Sequence, residues 1–345
     1  MEAIWFCLVA LMLTGYVVLD GYDIGAGIIH LLVARSDLER RQILQSIGPF
    51  WDGNEVWLIA GGGTLFFAFP ALYASSFSGF YLPLMMVLWL LMLRGISIEV
   101  RNHIDSPVWK PLWDLIFASA SALLAIFFGA ALGNVVRGAP LDAEGNFFLP
   151  LWTNFQPSGE VGILDWYTVL VAVTAFCALL LHGALWVRLK TEGPLQARSR
   201  DLAGKAWWAM GLLTVIVTIA SFRVQPHLWQ SFTERPWGYV FPAAAVVAFL
   251  SIRLSGTESR AFLCSALFLL GMLTSVAFGL FPYVLPSNTD PNRSLTIYNT
   301  APAAYGLRVG LAWWIPGMAL ALAYTIFTHR KFAGKVRPSE DVIEY

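Results

Sequence analysis

The sequence predicts an all-α integral membrane protein with about nine transmembrane helices, and three observations predict it. Hydrophobic residues make up 57% of the 345 positions and charged residues only 13%, about half the charged share of a soluble globular chain. The apolar residues come in unbroken blocks rather than stripes, the pattern of helices surrounded by lipid or by other apolar helices. The blocks also reach the roughly 20 residues needed to cross the hydrocarbon core. Only helices and closed barrels pair every backbone polar group in lipid, and the blocks are too long for barrel strands.

Nine blocks qualify, at 4–33, 55–74, 77–98, 112–133, 163–187, 203–223, 237–254, 260–285 and 305–328. The first begins MEAIWFCLVALMLTGYVVLD. It has no basic leader and runs past signal-peptide length, so it reads as a retained helix. The connection near 75–76 is so short that the second and third blocks should form a tight antiparallel hairpin. The longest connection, 134–162, is rich in Gly, Pro and Asn and reads as an ordered outer loop. The chain is expected to be a single membrane domain over 1–345, with a C-terminal tail at 329–345. Trp5, Trp51, Trp57, Trp109, Trp113, Trp152, Trp166 and Trp186 fall near block ends, where an interfacial aromatic belt would stand. Cys7, Cys177 and Cys264 lie inside apolar blocks without metal-ligand spacing and read as small buried hydrophobes. A net charge of zero offers no basic patch for nucleic acid.

Orientation follows from the basic residues. With nine spans, 17 of the 22 Lys and Arg fall on one side of the membrane. The excess marks the cytoplasmic side, so the N-terminus is expected outside and the C-terminus in the cytoplasm. The segments GTLFFAFPALY (63–73) and SVAFGLFPYVL (275–285) echo each other, each with a Phe-Pro pair. They read either as a parallel repeat or as two helices that each end at proline.

Acidic groups inside a span cost about 2.5–3.5 kcal/mol each on insertion scales, so each needs a reason. Asp20 and Asp23, in LDGYDIGAG, are three apart on one face of the first helix. They suit either a proton relay or ion site, or a pair of carboxyls bonding helix to helix. Gly21, Gly25 and Gly27 beside them allow close helix approach. In FWDGNEVWLIAGGG, Asp52 and Glu55 have capping-box spacing at the start of the second block. Both lie on the same membrane side as Asp20 and Asp23, so the four could also line a path of titratable groups. Arg94, Glu99 and Arg101 close the third block and read as snorkelling side chains, or as contacts to a partner subunit or anionic lipid. Asp114 reads as a cap of the fourth block. None of the five histidines has a paired HxxxH spacing, so nothing suggests that this chain ligates haem or metal.

At LDGYDIGAG and FWDGNEVWLIAGGGTLFFAFPALYASSFSGFY the chain resembles subunit II of bacterial cytochrome bd ubiquinol oxidase. The likeness continues through WKPLWD, FGAALGNVVRGAPL and FGLFPYVLPSNTDPNRSLTIYNTAPA. It implies two four-helix bundles plus one peripheral helix in the bacterial plasma (inner) membrane. It further implies a haem-bearing partner, subunit I, holding two b-type haems and one d-type haem. The complex would oxidise quinol, reduce O2 to water and build proton motive force without pumping. The resemblance allows a structural quinone on this subunit and small accessory single-helix subunits beside it. Carried over by position, Asp52 is expected as a cytoplasmic proton entry and Asp20 as the deeper relay, with Glu55 and Asp23 in support. The rival readings are a proton-coupled secondary transporter and a purely structural oxidase subunit.

Overall fold

The computed structural model describes residues 1–157 and 159–336; the tail positions 337–345 lie outside the described residues. Twelve α-helices are present among them: α1 (Glu2–Val33), α2 (Asp37–Ile47), α3 (Trp51–Ala68), α4 (Pro70–Gly79), α5 (Tyr81–Val100), α6 (Trp109–Arg137), α7 (Trp166–Lys190), α8 (Gly193–Val224), α9 (Pro226–Glu234), α10 (Val240–Leu254), α11 (Glu258–Leu280) and α12 (Ala304–Lys331). Among the described residues, eight helical segments are long and apolar enough to cross a membrane. The block expected at 55–74 is divided instead. Proline at 70 has no N–H to continue the ladder, so Phe69 ends α3 and α4 starts afresh. The two spans are accordingly joined by α4 itself, which Phe80 separates from α5, and not by a tight hairpin turn at 75–76. At 1.5 Å per residue, the 18-residue α3 alone comes close to the roughly 30 Å hydrocarbon thickness.

α1 is the central helix, packed by α3, α6, α7 and α11. Every residue from Asp20 to His30 is buried. Glycine makes this possible. A methyl group on Gly25 would lie 2.1 Å from the Leu179 carbonyl oxygen, and one on Gly183 would lie 2.1 Å from the Gly25 backbone. α1 and α7 therefore touch backbone to backbone, the small-residue packing that replaces the hydrophobic effect between helices in lipid. α5 packs on α6, α6 and α1 both pack on α7, α7 continues to α8 and α11, and α10 packs on α11. α12 stands apart, with only Leu307 and Thr328 buried.

α2 lies off the spans. Ser36 caps it, accepting from the Glu39 amide, and its buried Ile43, Leu44 and Ile47 join the main core. At the opposite end, the 138–165 connection packs on a small hairpin of β1 (Tyr283–Leu285) and β2 (Leu295–Thr296), with Leu141, Leu285, Leu295 and Ile297 buried together. Arg137 fixes this connection by donating to Asp165, to Asn134 Oδ1 (2.6 Å) and to the Gly162 carbonyl (2.8 Å). Both Phe-Pro pairs of the sequence echo end a helix there, at α3 and α11.

The tryptophan expectation needs correction. Trp5, Trp57 and Trp186 are core residues, at 1%, 7% and 3% exposure. Their indole rings fill space between helices, and Trp5 and Trp186 donate to the carbonyls of Leu307 and Ser46. The cysteines also differ from expectation: Cys7 is exposed and Cys177 and Cys264 are half-buried.

Candidate functional site

Two polar clusters sit on the half of the molecule where α1 ends. The deeper one joins α1, α3 and α5. Asp20 and Arg94 are both wholly buried, and Arg94 Nη2 donates to Asp20 Oδ1 at 2.8 Å. Glu55 approaches the same nitrogen at 3.7 Å from a partly exposed position. One turn along α1, Asp23 is equally buried, yet its partner is an amide: Asn54 Nδ2 donates to Asp23 Oδ2 at 2.7 Å. The same nitrogen donates to the Tyr22 hydroxyl, also at 2.7 Å. Around these groups, Asp20 Oδ2, Asp23 Oδ1, Arg94 Nε and Nη1 and the Tyr16 hydroxyl are buried without a protein partner. Buried polar atoms of this kind are ordinarily met by ordered water.

The two acids therefore differ chemically. Moving a proton onto Asp20 would break a buried ion pair and leave Arg94 with only the longer Glu55 contact. Asp23 can gain or lose a proton without breaking an ion pair.

Several residues are not where the sequence reading put them. Asp52 is exposed on the first turn of α3, and α3 carries no side-chain cap, so the Asp52–Glu55 capping box does not form. Arg94 does not snorkel, because Asp20 holds its guanidinium inside. Glu99 is exposed, whereas Arg101 is 1% exposed and faces inward. Asp114 stands more than a turn inside α6 and is no cap.

Arg101 and Asp114 are the centre of the second cluster. Asp114 Oδ1 receives His30 Nε2 (2.6 Å) and Arg101 Nε (2.6 Å); its Oδ2 receives Arg40 Nη1 (3.0 Å) and Arg101 Nη2 (3.1 Å). Arg101 Nη2 also reaches Asp37 Oδ1 at 2.6 Å. Five groups from α1, α2, the end of α5 and α6 thus meet on one carboxylate and one guanidinium. Partial burial works against ionisation of Asp37, but the Arg101 bond, Arg101's charge, Arg41 and Lys110 outweigh it and hold its carboxyl below the usual range. Glu39 is also held low: burial opposes, and the Arg35 amide and the Arg198 guanidinium prevail. Sequence reasoning missed Asn54, Tyr22, Asp37 and Arg40. The one available signal was the polar Asn inside WDGNEVWL.

Four of the five histidines are hydrogen-bonded within the chain. His30 is spent on Asp114, His182 bonds Ser265 and the Val18 carbonyl, His227 bonds Phe281 and Ser231, and His329 bonds Tyr22 and Thr325. His103 is exposed.

Comparison with known proteins agrees with this architecture. The family model for cytochrome bd terminal oxidase subunit II matches residues 1–332. The probable cytochrome oxidase subunit 2 of Haemophilus influenzae is 33% identical over 96% of this chain and 94% of its own length. Cytochrome bd-I ubiquinol oxidase subunit 2 of Escherichia coli K12 is 30% identical over 98% and 96%. The cytochrome bd ubiquinol oxidase subunit 2 of Bacillus subtilis is 32% identical over 89% and 88%. The bd oxidase structure from Geobacillus thermodenitrificans shares the fold at a TM-score of 0.73, covering 96% of this chain and 98% of that one at 17% identity. The chain belongs to the cytochrome bd terminal oxidase subunit II family and is a multi-pass membrane subunit of an oxidoreductase complex.

Proposed function

We propose that this subunit delivers protons from the cytoplasm toward the haem-bearing subunit I of a quinol:oxygen oxidoreductase. Asp23 is the carboxyl that carries them. Asp20 is the fixed counter-ion of Arg94, and Glu55 and Asp52 collect protons at the entrance. The haems of the complex, two b-type and one d-type, belong to subunit I in this reading. Protons that complete water are drawn from the cytoplasm while quinol releases its own outside, so potential builds without pumping.

The observation that carries the reading is the different bonding of the two acids. Asp20 is locked to a guanidinium at 2.8 Å, and Asp23 rests on an amide at 2.7 Å. The orientation rests on the clustering of Lys and Arg at the end where α1 finishes and α2 lies. Family membership leaves no role for the transporter reading. The scaffold reading keeps one specific support, the convergence of four elements on Arg101 and Asp114.

The test is Asp23→Asn in the whole complex, read as quinol-driven oxygen consumption beside reduced-haem absorbance. Slow turnover at full haem content supports proton delivery. Haem lost in proportion to activity makes Asp23 a structural residue only.

A further inference from the structure

We propose a second proton inlet to Asp23, through the crevice between the start of α3 and the end of α12, with His329 and Tyr22 as its relay. It rests on the reading of Asp23 as the proton carrier.

The crevice opens between the two helices and is lined by Asn54 and Gly53 of α3 and by Tyr324, Thr325, Thr328 and His329 of α12. His329 Nδ1 lies 2.9 Å from the Thr325 carbonyl oxygen. A carbonyl can only accept, so Nδ1 carries the hydrogen. In the neutral ring, Nε2 is then an acceptor. It takes the hydroxyl hydrogen of Tyr22 at 3.1 Å. Tyr22 in turn accepts from Asn54 Nδ2, which also holds Asp23 Oδ2. One bonded line thus runs from a ring on the crevice wall to a carboxyl with no exposure at all.

The surroundings insulate the line. Trp186 stacks on Tyr22 at 4.0 Å, and Phe50 and Phe262 pack edge-on against it at 6.4 and 5.8 Å. Tyr22 is 1% exposed, so its hydroxyl is the polar atom that pierces this aromatic wall. The Tyr22 hydroxyl and Asp23 Oδ2 are each 2.7 Å from the same nitrogen, close enough for one water to bridge them.

Hydronium in the crevice gives a proton to His329 Nε2 as the Tyr22 hydroxyl turns away, and an N–H bond forms. That N–H then breaks as Tyr22 oxygen takes the proton. In the same step the original Tyr22 O–H breaks, its proton passes to the bridging water, and that water gives one of its own protons to the Asp23 carboxylate. His329 and Tyr22 return to their starting forms, and Asp23 holds one more proton. Asn54 is a positioning residue: it fixes both oxygens and exchanges nothing.

The experiment uses His329→Gln and Tyr22→Phe in the whole complex, beside Asp23→Asn and Asp52→Asn. Proton uptake is followed after oxygen is delivered to the fully reduced enzyme, with haem content measured in each variant. His329→Gln and Tyr22→Phe should each slow uptake roughly twofold or more at full haem content, as expected when one of two parallel inlets closes. His329→Gln combined with Asp52→Asn should fall to the rate of Asp23→Asn. If Tyr22→Phe loses haem, His329→Gln decides. Wild-type uptake in the histidine variant, with Asp23→Asn slow, overturns the inlet and leaves Asp23 in place. Wild-type uptake in Asp23→Asn overturns the Asp23 reading and the inlet with it.

Discussion

Arg94 of α5 and Asp20 of α1 form an ion pair at 2.8 Å with neither side chain exposed. Its partners come from helices 74 positions apart in sequence, so it reports that α1 and α5 are correctly assembled. The pair also distinguishes the two acids of α1 by partner, a guanidinium for Asp20 and the Asn54 amide for Asp23.

Removing the guanidinium should therefore be costly. Arg94→Ala leaves Asp20 as an uncompensated buried charge, at about 3–5 kcal/mol. We expect poor assembly, read as low haem content per complex and a lower temperature of unfolding. Combining it with Asp20→Asn should recover part of the loss, and an additive double variant would refute the coupling.

The α1–α7 contact tolerates no added atom. A methyl on Gly183 would sit 2.1 Å from the Gly25 backbone, and backbone cannot turn aside as a flexible side chain can. Gly183→Ala should destabilise by at least the 1–3 kcal/mol typical of overpacking. Gel filtration of the complex checks it: Gly183→Ala should yield less assembled complex, and Gly204→Ala, which meets nothing within 4 Å, is the control and should assemble normally.

Asp114 is the common acceptor for His30, Arg40 and Arg101. Asp114→Asn keeps the shape, loses the charge and turns an amide N–H toward donors. The expected cost is about 3–5 kcal/mol, the scale for breaking a buried charge network by one partner. α2 should loosen first, so limited proteolysis by trypsin should cut after Arg35, Arg40 or Arg41 in the variant and spare the parent.

Acid should have the same effect by a different route. Asp37 and Glu39 are held below their ordinary carboxyl range in the folded protein. A depressed carboxyl adds stability that is complete above its unfolded pKa and lost as pH falls through the folded one. Docking of α2 should thus be constant from pH 7 to about 5 and weaken only below about 4. Hydrogen exchange of the α2 amides, corrected for intrinsic rate, measures it. Loosening between pH 7 and 6 would instead implicate a histidine.

Much of the site was legible in the sequence because of its cost. Asp20 and Asp23 stand in an apolar run where lipid tolerates no idle charge, so their residue types alone marked them, whereas Arg94, near a block end, read as a snorkelling side chain. Their pairing was not legible. Both acids lie on the same face of α1, and nothing in LDGYDIGAG says which one meets the arginine of α5. Asp114 was misjudged for a related reason: the expected block began at 112, whereas α6 begins at Trp109. That shift of a few residues turns a cap into an interior acceptor.

The sequence by itself determined the helical class, the membrane and the family, because those follow from long apolar blocks, backbone satisfaction in lipid and motifs read in order. Only the tertiary structure decided which charge neutralises which, that Trp5, Trp57 and Trp186 are core rather than belt, and that His329 meets Tyr22 from 307 positions away. The reason is range. Hydropathy and helix periodicity are properties of neighbouring residues, whereas an ion pair or a hydrogen bond between spans depends on helix rotation and on which glycines let two backbones touch.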